Sequence, residues 1–194
     1  MTNLLPKSAR SSARCALLVA LVLLGACRAA GPGTPARTVA AFYDKYHGQP
    51  GFRATEWSAD LLQRLALVRV GKLLGGSDLT NAITGIRTMR ALSFVPVSGA
   101  ARALAAQGLS QEVAGIVRAE RYTPLIASSS GGRTSLDYVV RASGDEVREL
   151  LATGAVPDAA SSFVLVQVEG KFTRAQAEAL AKVLPEVARQ SAGR

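Results

Sequence analysis

Few residues in this 194-residue sequence are of types that do covalent or acid–base chemistry, and their spacing narrows what they can do. There are two cysteines, Cys15 and Cys27, and a single histidine, His47. One histidine cannot build a multi-histidine metal site and leaves one candidate for imidazole catalysis. His47 stands beside Tyr43, Asp44 and Tyr46 and before Gly48, where its charge favours the negative end of a helix dipole. No Gly-x-Ser-x-Gly segment occurs to draw it into a triad. Of the fourteen carboxylates only Asp145 and Glu146 are adjacent, and neighbours in sequence point in different directions. They read as a solvated turn or a helix cap rather than as two acids flanking one cleft. Gly75-Gly76 and Gly131-Gly132 are followed neither by Lys-Ser/Thr nor by a G-x-G-x-x-G pattern, so they read as turns and not as phosphate loops. No catalytic, metal or cofactor-binding residue is assigned, and the chain is expected to be non-enzymatic with no cofactor.

Cys27 differs because of what precedes it. The first 14 residues contain Lys7, Arg10 and Arg14 and no acid, and the next twelve, Cys15 to Ala26, are uncharged and mostly apolar. A basic stretch followed by a short apolar one is the pattern of a secretory signal peptide. Twelve residues of helix span about 18 Å, short of the ~30 Å hydrocarbon core of a bilayer. The last three residues of this region with the cysteine that follows, Leu24-Gly25-Ala26-Cys27, resemble the lipobox of bacterial lipoproteins. The resemblance implies a diacylglyceryl group on the Cys27 thiol, recognition of Leu24, Gly25 and Ala26 by a dedicated signal peptidase, and fatty acylation of the new amino terminus. Two or more acyl chains anchor stably where one binds only marginally. Arg28, which is not Asp, favours the outer membrane by resemblance to the enteric sorting rule. With Cys15 removed and Cys27 lipidated, the mature domain has no thiol, and so no intramolecular disulfide.

The elements that follow must fold without such chemistry to guide them. An apolar fraction of 48% excludes a disordered chain. Residues 28–37 are rich in Ala, Gly and Pro and read as a flexible tether, with a reach of roughly 15–20 Å. Thr38 is a plausible cap for a helix that Gly48 stops. An extended stretch around Phe52–Glu56 precedes a helix from Ser58 carrying Leu61, Leu62, Leu65 and Val68 on one face. Asp78–Ile86 is helical, Arg87–Val97 a strand, and Ala100–Ala119 an Ala-rich helix broken near Gly108-Leu109-Ser110. Tyr122–Ser128 is extended, Gly131-Gly132 turns a hairpin, and Thr134–Ala142 alternates as a half-buried strand. Val147–Leu151 is compatible with helix or strand. Ser162–Glu169 is a strand with Val164, Val166 and Val168 on one face, and Thr173 with Gln176 forms a capping box that opens a closing helix. The order implies an α+β domain over residues 38–194, its mainly antiparallel sheet covered by helices on one face.

This order of features is similar to a bacterial family of exported proteins, domain of unknown function 4252. The matching pieces are Phe42–Tyr46 with Gly51-Phe52, the helix around Leu61–Val68, Ile86–Leu92, the late strands, and the Phe163–Gly170 strand with its helix. The resemblance implies that Val147–Leu151 is a strand; the chain departs from the family in its Ala/Arg-rich composition and in an inserted loop expected near Gly154–Ala160. It brings no catalytic residues.

Without Lys7, Arg10 and Arg14 the chain carries 20 basic and 14 acidic side chains, a balance of +6. The basic residues are scattered and aromatics are few, which argues against a nucleic-acid partner. The charge fits attraction to an anionic lipid surface. The expected function is a lipid-anchored envelope protein, at the outer membrane facing the periplasm, that binds a partner or supports an envelope process. The alternatives are an envelope hydrolase with a carboxylate-based site, and a regulatory accessory of an envelope stress response.

Overall fold

Strand residues alternate between the two faces of a sheet, so a strand that is apolar at consecutive positions must be covered on both sides. The segment Phe163-Val-Leu-Val is of that kind, and it sets the architecture. The computed structural model describes residues 33–58, 77–125, 136–156 and 159–193. Helix α1 (Val39–Tyr46) is followed by β1 (Phe52–Ser58), α2 (Ser77–Gly85) and β2 (Ile86–Phe94). A further helical stretch comprises α3 (Gly99–Ala103), a π-helical segment (Leu104–Leu109) and α4 (Ser110–Ala119). Short strand β3 (Thr123–Pro124), strands β4 (Leu136–Ser143), β5 (Glu146–Val156) and β6 (Ala159–Phe172), and helix α5 (Arg174–Ala192) complete the order. The strands form one sheet in the order β1-β2-β6-β5-β4-β3, every neighbouring pair antiparallel.

The α+β class with an antiparallel sheet is as expected, but helices cover both faces rather than one. On the first face Met89, Ala91, Leu150, Val164, Val166 and Val168 pack against α2 and α5 through Leu79, Ala82, Leu180 and Leu184. On the second, Leu92, Phe94, Leu151, Phe163 and Leu165 pack against α1 and the π–α4 stretch through Phe42, Tyr46, Leu109, Val113 and Ile116. A single helical layer would have left that second set in water, at about 1.5–3 kcal/mol for each large side chain.

Local signals explain most element ends. The Thr38 hydroxyl accepts from Ala41 N–H, and Thr173 with Gln176 makes the full capping box. The expected break near Gly108 takes the form of the π-helical segment. Val147–Leu151 is strand, as the family resemblance implied. Within the segment Gly154–Ala160, where a loop was expected, residues 154–156 and 159–160 are strand, with Val156 paired to Ala159. Ser58, where a helix was expected to open, is the last residue of β1 and pairs with Thr88; the expected helix over Leu61–Val68 and the Gly131-Gly132 turn lie outside the described residues. Pro35–Arg194 cluster as one compact unit.

Candidate functional site

Three of the sheet's pairings slip register at the same end. The β2–β6 ladder shifts between Ile86 and Thr88, the β4–β5 ladder between Arg141 and Ala142, and the β5–β6 ladder between Val147 and Glu149. A bulge bends its strand and re-aims the extra side chain. Here the residues at or beside the shifts are Arg87, Arg141, Arg148 and Lys171. With Glu146, Glu169 and Gly170 they line a pocket of about 390 Å³. The backbones are pressed together behind it. A Cβ on Gly170 would stand 2.3 Å from the Gly85 carbonyl oxygen, and one on Gly85 would stand 2.5 Å from that of Lys171. Glycine at both positions lets the end of α2 touch β6.

A row of polar side chains crosses the second face of the sheet beside the pocket. Arg90 Nε donates to Glu56 at 3.2 Å, and its guanidinium reaches Glu169 at 3.6 Å. Gln167 Nε2 donates to Glu169 at 2.9 Å and to Glu149 at 2.5 Å. Arg141 donates to Glu149 at 2.5 Å and lies 3.9 Å from Glu120. Glu149 is 1% exposed, and Arg141 and Gln167 supply the hydrogen bonds that a buried carboxyl group needs. Helix α1 and the connection after α4 supply aromatic covers at the two ends of the row: the Tyr43 ring against Arg90 at 5.8 Å and the Tyr122 ring against Arg141 at 5.9 Å. Arg121, in the left-handed region at φ 58°, turns the chain so that Tyr122 faces inward. The Tyr122 hydroxyl lies beside Glu149 without the geometry of a hydrogen bond. Burial first, and the Glu149 carboxylate second, push its pKa far above the ordinary tyrosine range.

A separate carboxylate, Glu112 on α4, clamps the start of the domain. It accepts from the Ala36 amide, from Lys45 Nζ at 2.9 Å and from the Tyr46 hydroxyl at 2.8 Å. This ties α1 to α4 and has no part in the pocket.

Of the residues singled out in the sequence, Leu24, Gly25, Ala26 and Cys27 lie outside the described residues. His47 is exposed at the end of α1, its ring stacked on Tyr43 and its Nδ1 donating to the Asp44 carbonyl at 2.9 Å. It sits at the helix terminus as read. Asp145 is in the β4–β5 turn, while Glu146 opens β5 and lines the pocket, paired with Arg148 at 3.2 Å. Four of the basic residues that look scattered in sequence, Arg87, Arg141, Arg148 and Lys171, are brought together by the bulges. Glu149 and Gln167 had a sequence signal of their own, as polar interruptions in otherwise apolar strands. Among the described residues no group of three or more His, Cys, Asp or Glu is arranged to hold a metal ion. Among them, too, the exposed large apolar side chains are Val95, Val97 and Leu104, around the connection from β2 to α3.

The family model described as "Domain of unknown function (DUF4252)" matches residues 46–180, which takes in every strand and most of the pocket's supporting helices. No curated protein and no solved structure matches the chain. The match covers well over half of the sequence, and the chain belongs to the DUF4252 family.

Proposed function

We propose that this protein is a lipid-anchored bacterial envelope protein, held at the outer membrane through Cys27, whose domain is a non-enzymatic binding module for an anionic partner. The observation that carries the binding role is the pocket at the bulged end of the sheet, where four cationic side chains face one cavity against two carboxylates. Arg141, Glu146, Arg148 and Glu169 around it are engaged in ion pairs and hydrogen bonds with their neighbours. The anchor reading is supported by Leu24-Gly25-Ala26-Cys27 after a basic and then an apolar stretch. Two or more acyl chains on Cys27 would make the attachment stable.

The test is metabolic labelling with a fatty acid combined with membrane fractionation. Wild type is expected to incorporate label and to follow the outer membrane, and Cys27→Ser to lose both. A Cys27→Ser chain that labels as strongly as wild type would sink the anchor reading.

A further inference from the structure

Arg87, Arg148 and Lys171 share an uncommon placement. Each stands where a strand pairing slips register, on β2, β5 and β6 respectively. On a regular ladder such side chains would alternate between faces, whereas the slips turn all three to one cavity, joined there by Arg141 from β4. The charges in that cavity differ in how far they are engaged. Arg141 is taken up by Glu149 at 2.5 Å, and Arg148 by Glu146 at 3.2 Å. Glu169 is held by Gln167 at 2.9 Å and Arg90 at 3.6 Å. Among the described residues Arg87 and Lys171 have no ion-pair partner, and both are exposed. The lining thus carries four cations against two carboxylates, an excess of two, and Arg87 and Lys171 are the cations that stand outside its ion pairs.

We propose that this pocket binds a doubly charged phosphate group, a phosphomonoester or inorganic phosphate, through Arg87 and Lys171 with Arg141 and Arg148 at its sides. The proposal rests on the reading of the domain as a binding module and names its ligand class. Two observations favour phosphate over carboxylate. The free charge of two matches a phosphomonoester near neutral pH, which carries about −1.5 to −2. The donors also come from four different strands, whereas a planar carboxylate offers two oxygens that one guanidinium already satisfies. A phosphate presents three terminal oxygens that separate donors can share. At about 390 Å³ the cavity leaves room for the group to which the phosphate is esterified.

The test is calorimetric titration of the full chain, in neutral detergent micelles, with inorganic phosphate at constant ionic strength. Arg87→Gln/Lys171→Gln is compared with Arg118→Gln/Arg189→Gln, which removes the same charge from exposed helix positions. All four residues are exposed, so both variants are expected to fold, and thermal melts check that. Saturable binding by wild type and by the helix variant is expected, with the pocket variant weaker by at least about tenfold, since two charge-assisted contacts are gone. No saturable binding of either phosphate or triglutamate by wild type, or equal weakening in both variants, overturns the proposal together with the binding-module reading. Pocket-dependent binding of triglutamate without phosphate binding overturns the phosphate assignment alone. Repeating the titration in phosphatidylcholine vesicles with and without phosphatidate separates the sources. Loss of phosphate binding only when phosphatidate is present assigns the site to a lipid headgroup, and unchanged binding assigns it to a soluble phosphomonoester; either supports the site.

Discussion

Replacing Gly170 by alanine probes the contact that builds the bulged end of the sheet. The new Cβ would lie 2.3 Å from the Gly85 carbonyl oxygen and 2.4 Å from the Phe172 ring, with the Gly85 carbonyl carbon at 3.0 Å. Phe172 can rotate only within a packed core, at 2% exposure, and the Gly85 backbone cannot rotate away at all. The end of α2 must therefore move off β6 by roughly an ångström, pulling Leu79 and Ala82 from the first core with it. Overpacking of this kind costs about 1–3 kcal/mol, and the upper half of that range applies because the obstacle is backbone. For a chain of this size each kcal/mol shifts Tm by about 2–4 °C, so a fall of about 4–12 °C is expected. Gly115→Ala is the control of opposite sign. Gly115 lies inside α4 with open space where a Cβ would go, so alanine should stabilise by about 0.5–1 kcal/mol. Gly85→Ala should be destabilising like Gly170→Ala, and the double variant less than additive, because one separation relieves both clashes. Thermal melts of the full chain followed by circular dichroism read all four. A Gly170→Ala melt indistinguishable from wild type, or one that rises like Gly115→Ala, would refute the close approach of α2 and β6.

Two further outcomes follow from the polar row and the tyrosines. Glu149→Gln keeps the shape but turns an amide donor toward either Arg141 or Gln167, and should destabilise by about 1–3 kcal/mol in urea unfolding. Most of that falls on the buried Gln167 side, because Arg141 is half exposed and water takes its place. A Glu149→Leu/Gln167→Leu chain should lose less than Glu149→Leu alone, and an equal loss would argue against the coupling. All four tyrosines, Tyr43, Tyr46, Tyr122 and Tyr138, have pKa values raised chiefly by burial. The unfolded chain releases these protons near pH 10 and the folded chain does not, so their contribution is intact below about pH 10 and is lost above it. The slope is up to about 1.4 kcal/mol per pH unit for each tyrosine still protonated in the fold. Tyrosinate absorbance should appear together with loss of the circular dichroism signal, and ionisation near pH 10 in a fully folded chain would contradict the burial of these rings.

The local elements were readable from the chain because the forces behind them act over a few residues. The Thr173–Gln176 capping box, the Thr38 cap and the alternation of Val164, Val166 and Val168 each depend on neighbours within one turn or one pleat. The second helical layer was already implicit in Phe163 and Leu165, apolar residues on the face opposite those valines, yet the chain order alone did not say which helices would cover them. The pocket could not be read locally. Arg87, Arg141, Arg148 and Lys171 meet only because three ladders slip at one end of the sheet. Register is a property of strand pairs, not of strands. It is decided by the packing of distant residues, here the Gly85–Gly170 contact and the apolar cores on either side, and a slip of one residue changes what a side chain faces.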